Sequence, residues 1–146
     1  MGRIKISLPE KFQFKTEMKL RVTDINYGGH LGNDSVLSIM HEARIRFLSS
    51  MGYSESDVEG SGIMMTDCHI NYTSQGFYGD EINIYVASQN PERNGCDFIY
   101  RITNKNTSAE IARGTTSVIF FNYSSKKLQQ IPEKFKVKIS ELPFLY

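Results

Sequence analysis

Residues 24–34 read DINYGGHLGND: two acids, two asparagines, three glycines and one of the chain's three histidines. Upstream, Lys11 to Asp24 alternates, with Phe12, Phe14, Met18, Leu20 and Val22 on one face and Lys11, Gln13, Lys15, Glu17, Lys19 and Arg21 on the other. Period two marks a half-buried strand. Downstream the period changes: Val36, Leu37, Met40, Ala43, Phe47, Leu48 and Met51 recur at three and four, giving a helix of about five turns with one apolar face. Asn33 or Asp34 is suited to cap that helix, and Gly52 to stop it. The stretch is therefore a strand-to-helix junction, with more polar groups and flexible positions than a turn requires.

The rest of the chain continues the strand pattern. After a polar run without a core pattern, SESDVEGS at 54–61, strands are predicted at Ile63–Thr73, Glu81–Ser88, Cys96–Thr103 and Ala109–Asn122. The turns QGFYGD, NPERNG and KNTS separate them. One face of the last strand reads Ala112, Gly114, Thr116, Val118, Phe120, small enough at its start for the helix to approach closely. The tail PEKFKVKISEL fits either a short helix with Pro132 at its first position or an extension. One strand, one long helix and four strands on short turns define an α+β fold: an antiparallel sheet of about five strands covering the helix, in one domain over residues 1–146.

Composition bounds the function. With 17 basic and 16 acidic side chains the net charge is +1, and the lysines are dispersed, so no nucleic-acid surface is expected. No apolar run is long enough to span a bilayer, and MGRIKISLPEKF has no secretory apolar segment, so a cytoplasmic protein without membrane insertion is expected. Cys68 and Cys96 lack ligand spacing and are expected to be reduced core thiols. His30, His41 and His69 have no paired spacing, so neither a metal nor a cofactor is expected. GSG at 60–62 lacks the pattern of a serine nucleophile elbow, and GGHLGN lacks the Lys-Ser/Thr ending of a nucleotide loop.

Two chemistries fit the opening stretch. It is a capping loop whose glycines supply positive φ, or a helix N-terminus whose unpaired N–H groups face an anion or a developing oxyanion. In the second case Asp24, Asn26 and His30 stand beside the site to orient water or a carbonyl. Asp24 also suits bracing of the loop through backbone N–H groups.

The string D-x-N-x-x-G-H-x-x-N, running into a helix that contains E-A-R, resembles the hot-dog-fold acyl-CoA thioesterases, in particular the 4-hydroxybenzoyl-CoA thioesterase family. The matching residues are Asp24, Gly29, His30, Asn33, Glu42, Ala43 and Arg44, and HINYTSQGFYGDEI and ARGTTSVIFF look like later strands of that family. The similarity covers roughly residues 11–125. It implies a hot-dog fold and hydrolysis of an acyl-CoA or acyl-carrier thioester by a homodimer or homotetramer with acyl pockets between subunits. Many members carry a second Asp where this chain has Asn26, and an amide neither accepts a proton at neutral pH nor attacks as a carboxylate. Another branch of the superfamily places Asn or Gln in the loop and a carboxylate in the helix. By that resemblance Glu42 is the general base and Asn26 orients water or thioester; His30, as an imidazole, either holds the turn through the loop backbone or is an acid for the leaving thiolate. Asp24, Gly29, Gly32 and Asn33 shape the substrate site, with the Gly32 and Asn33 N–H groups on the carbonyl.

Other roles stay open at this stage. Glu42 can pair with Arg44, Arg46 or a neighbouring strand, His41 is expected in the core or an interface, and Asp67 and His69 are expected to alternate with Met65 on a face that packs on a partner subunit or lines a substrate channel. Lys105, Lys126, Lys127 and Arg93 are candidates for nucleotide phosphates. A non-catalytic acyl-CoA or carrier-protein binder, or an enoyl-CoA hydratase or dehydratase, would use the same groove.

Overall fold

The computed structural model describes residues 2–146. Strand β1 (Phe14–Lys19) leads through a 3-10 turn (Val22–Asp24) to helix α1 (Asn33–Ser50). Strands β2 (Gly62–Tyr72), β3 (Glu81–Gln89), β4 (Gly95–Asn104), β5 (Glu110–Asn122) and β6 (Lys127–Gln129) follow, and helix α2 (Glu133–Glu141) comes last. The sheet is antiparallel in the order β1-β3-β4-β5-β2, with β6 added to β5 beyond the end of β4. The inner faces of the strands wrap α1, which is the hot-dog arrangement.

Periodicity places this core. Ile82, Ile84 and Val86 of β3, Phe98, Tyr100 and Ile102 of β4, and Ala112, Val118 and Phe120 of β5 are buried with Val36, Ile39, Met40, Ala43, Phe47 and Leu48 of α1. Phe47 stacks on Phe14 at 5.4 Å and meets Phe98 edge-on at 6.2 Å. Burying one such ring contributes about 2–3 kcal/mol. At Gly114 an added Cβ would lie 2.8 Å from the Met40 sulfur and 3.1 Å from the His69 carbonyl oxygen. The small face predicted on β5 is thus the seat of the helix.

The outer sheet face has its own small cover. Ile6, Phe12, Ala87 and Ile99 bury one another there. Asn71 holds the covering segment, with Oδ1 accepting the Ile6 N–H at 2.8 Å and Nδ2 donating to the Ile4 carbonyl at 2.9 Å.

Four expectations need correction. β1 ends at Lys19, and Val22 is 74% exposed rather than in the core, because the Asp24 carboxylate captures the Arg21 N–H and turns the chain. The tail is a helix, with Pro132 at its N-cap instead of its first position. Cys96 is buried, but Cys68 is exposed on the edge strand β2. A bulge in β2 between Met65 and Asp67 breaks the alternation expected there, so Met65 shares a cleft with Ile63 and α1 while Asp67 and His69 belong to the register beyond it.

Candidate active site

The DINYGGHLGND stretch folds as a tight hairpin docked to the sheet end. Leu20 is buried and exchanges backbone hydrogen bonds with Asp80 and Gly79, while the Leu31 N–H donates to the Gly76 carbonyl at 2.7 Å. Ile25 and Leu31 form a bridge, and the Asn26 N–H donates to the His30 carbonyl at 2.9 Å. Asn26 Oδ1 accepts the Gly28 N–H at 2.9 Å, and Gly29 takes φ +83°, open to a residue without Cβ. At Gly28 an added Cβ would meet Asn26 Oδ1 at 3.2 Å and His30 Nε2 at 3.3 Å, so these two side chains converge over that backbone. With Oδ1 committed to the turn, Asn26 presents its Nδ2 donors.

Asp24 is the brace. Buried at 8% exposure, it accepts the Arg21 N–H at 2.8 Å, and its own carbonyl accepts the Gly32 N–H at 3.0 Å. The Gly32 amide expected to polarise a carbonyl is therefore engaged within the loop. Gly32, and neither Asn33 nor Asp34, occupies the N-cap of α1, and no side chain caps the helix. The first N–H groups of the helix, beginning with Asn33, have no intrahelical acceptor. Asp34 Oδ1 lies 2.6 Å from where a Gly32 Cβ would stand, so a side chain at the N-cap would meet it. The Tyr72 hydroxyl of β2 pins the Asn33 carbonyl at 2.9 Å. Burial, with the nearby Cys68 and Asp34, pushes that phenol up.

One flank of α1 opens on a cleft of about 510 Å³ lined by Asp24, Ser38, Ile39, Glu42 and Arg46, with Glu17, Met18, Lys19 and Arg21 opposite. Glu42 pairs with Arg46 at 2.9 Å, and Arg46 is itself fixed by the Thr16 hydroxyl and the Glu17 carbonyl, both at 2.9 Å. The chain thus brings Glu42 and Asp24 to one cleft and places Asn26 and His30 together at the hairpin.

The other flank carries a polar network that periodicity did not reveal. Arg44 is 5% exposed on the apolar face of α1, where its Nε donates to Glu55 Oε1 at 2.7 Å and Nη1 reaches the Thr116 hydroxyl at 3.3 Å. Thr116 in turn sits 2.8 Å from the hydroxyl of the fully buried Tyr100, and His41 Nε2 lies 2.9 Å from Glu55 Oε2. Although burial works against it, hydrogen bonds from His41 and Arg44 hold the Glu55 carboxyl below the usual range. Burial pushes the Tyr100 phenol up. His41 is exposed on this chain, so it is not in the core, and Glu55 comes from the polar run with no core pattern. The available signal was Arg44 itself, a charge at helical spacing from Met40, Phe47 and Leu48 that needs a partner to be buried.

Of the basic residues proposed for phosphates, Lys105 is occupied, 3.0 Å from Glu17 and 3.7 Å from Glu81. Among the described residues no group of three or more His, Cys, Asp and Glu is arranged to hold a metal, and no helix is long and apolar enough to cross a membrane.

A six-stranded antiparallel sheet wrapped on one long helix, with a Gly-rich hairpin feeding an uncapped helix start, defines a hot-dog-fold protein of the thioesterase type. The chain belongs to the thioesterase-like superfamily, whose family model matches residues 20–139. No curated protein matches it significantly in sequence. Among solved structures it is similar to a 1,4-dihydroxy-2-naphthoyl-CoA thioesterase from Synechocystis, at 18% identity and TM-score 0.80 over 88% of this chain and 96% of that one. It is also similar to a thioesterase from Thermus thermophilus complexed with coenzyme A and Zn, at 22% identity and TM-score 0.79 over 92% and 97%. A DHNA-CoA thioesterase from Staphylococcus aureus shares 21% identity at TM-score 0.75 over 85% and 84%. At these identities the likeness is one of fold.

Proposed function

We propose that this protein hydrolyses an acyl-CoA or acyl-carrier thioester to acid and thiol, acting as a homodimer. The observation that carries this is the uncapped start of α1 behind a rigid hairpin, where preorganised N–H donors suit an oxyanion developing on a thioester carbonyl. The donors are the N–H groups from Asn33 onward together with Asn26 Nδ2, Gly32 being engaged by Asp24. Gly29 and Asp24 hold the hairpin in shape, and His30, beside Asn26, is placed to meet the leaving thiolate. The general base is Glu42, which takes a proton from water as the water attacks the carbonyl carbon.

Nine residues at 1.5 Å rise put Glu42 about 14 Å from Asn33 along the helix. The start and the middle of one helix, that far apart, do not serve one carbon, so the base and the oxyanion site come from different copies. The edge strand β2 suits that assembly, since its outer backbone groups are unpaired in the sheet and Met64, Met65 and Tyr72 are exposed along it.

Mixing tests the arrangement. Asn26→Ala and Glu42→Ala are each expected to lose thioester hydrolysis, and after co-refolding the mixture recovers about a quarter of wild-type activity, since half the dimers are mixed and each keeps one intact site. No recovery from a mixture shown to contain mixed dimers contradicts a shared site. The engagement of Asn26 Oδ1 in a turn also favours a second function, acyl-CoA binding without turnover, which would show saturable binding with no thiol release.

A further inference from the structure

We infer that Lys19 and Arg21 form the subsite for the phosphates of a CoA nucleotide, with Tyr78 as the face on which its adenine stacks. The inference rests on the thioesterase function proposed above and decides between its two carriers: the handle is CoA, not a carrier protein.

The charge inventory around the Glu42 cleft singles out these two cations. Of its three basic side chains, Arg46 is spent on Glu42. Of its carboxylates, Glu17 is bound by Lys105, and buried Asp24 accepts the Arg21 backbone N–H. Glu81, opposite Lys19 in the β1–β3 register, reaches Lys105 instead. Lys19 is exposed and makes no ion pair or side-chain hydrogen bond among the described residues. The Arg21 side chain is 71% exposed and makes one long ion pair, to Asp24 at 3.7 Å.

Position gives the pair its meaning. Lys19 and Arg21 line the Glu42 cleft and also a second one of about 560 Å³, formed with Leu20, Val22, Tyr78, Gly79 and Asp80. In the second cleft the Asp80 carboxylate is occupied by the Phe77 N–H at 2.9 Å, while the Tyr78 ring is 71% exposed. The backbone bonds of Leu20 to Gly79 and Asp80 fix this aromatic turn against the two cations. A carboxylate in one cleft, two exposed cations shared by both clefts and an open aromatic ring in the other follow the order of reacting thioester, phosphates and purine in an acyl-CoA. A carrier protein offers one phosphodiester and no base, which leaves the second cation and the ring without a partner. Arginine supplies a planar fork for phosphate and the ring a stacking surface.

Adenosine 3′,5′-bisphosphate, which lacks both acyl group and thiol, is the direct probe. Calorimetry is expected to show binding that weakens at least tenfold in Lys19→Ala/Arg21→Ala and about tenfold in Tyr78→Ala. In turnover, the double variant should raise KM for an acyl-CoA at least tenfold with kcat little changed. Hydrolysis of the matching acyl-pantetheine thioester, which has no nucleotide, should stay as in the wild type, and an unaltered melting curve shows that the fold is kept. An acyl-CoA KM that does not move in the double variant overturns the subsite while leaving thioester hydrolysis standing. Bisphosphate binding that depends on Lys19 and Arg21, with no thioester turned over, supports the subsite and removes the enzymatic function. Absence of bisphosphate binding to the wild-type protein overturns the subsite whatever the activity.

Discussion

Glu55→Ala is the most informative perturbation of the fold, because it removes the anionic partner of a buried cation that has little else to hold it. Arg44 is 5% exposed, its Nε–Glu55 bond is 2.7 Å, and its other partners are two neutral hydroxyls, Thr116 at 3.3 Å and Tyr100. Stranding a fully buried charge costs about 3–5 kcal/mol, whereas a hydrogen bond to a charged group contributes about 1.5–3 kcal/mol. The Glu55 side chain is 26% exposed, so water can enter once it is gone, and a loss of about 2–3 kcal/mol is expected. Arg44→Met keeps the volume and removes the charge, and should cost only about 1 kcal/mol. The double variant should then lie near the Arg44→Met value, giving a coupling of about 2 kcal/mol in a urea-denaturation cycle. The sign with pH follows from the depressed Glu55 carboxyl. Its contribution is present above the unfolded value of about 4.3 and is lost as pH falls through the folded one, so wild type and Glu55→Ala converge in acid. Additive single effects, within about 0.5 kcal/mol, would refute the claim that Glu55 neutralises Arg44 in the core.

Glu110 obeys the same sign. Against the cost of burial, Arg113 and Arg101 hold its carboxyl low, so Glu110→Gln should lower stability near neutrality by about 1–2 kcal/mol and matter less below about pH 4, as read by melting at each pH. Gly114→Val should cost about 1–3 kcal/mol through the contact with Met40 and the His69 carbonyl; an unchanged melt would mean that α1 is not seated there. Met64→Glu/Met65→Glu on β2 should convert the proposed dimer to a monomer in light scattering, and a dimer that persists would move the interface elsewhere.

Much of this fold is legible in local pattern. β2, β3, β4 and β5 begin and end within a residue of the predicted bounds, because alternating side chains and the Gly/Pro/Asn turns between them both encode short-range geometry. What escaped depends on contacts distant in sequence or on one side chain's competition with the ladder. Asp24 ends β1 early by capturing a neighbouring N–H, Cys68 is exposed on the edge strand although its register sets it opposite buried Thr116, and the three-residue β6 needs β5 beside it to exist. The candidate site divides in the same way. The hairpin and helix start could be read from DINYGGHLGND, since glycines and Asx residues act locally. The Gly32 cap, the Arg46 clamp on Glu42 and the Glu55 partner of Arg44 could not, because each is fixed by how elements pack.

The central claim is tested most directly by following thiol release from a panel of short, long and aromatic acyl-CoA thioesters. The wild-type protein is expected to turn over at least one of them, with losses of about a hundredfold or more in Asn26→Ala and Glu42→Ala. No thiol release across the panel from folded, dimeric protein would contradict it.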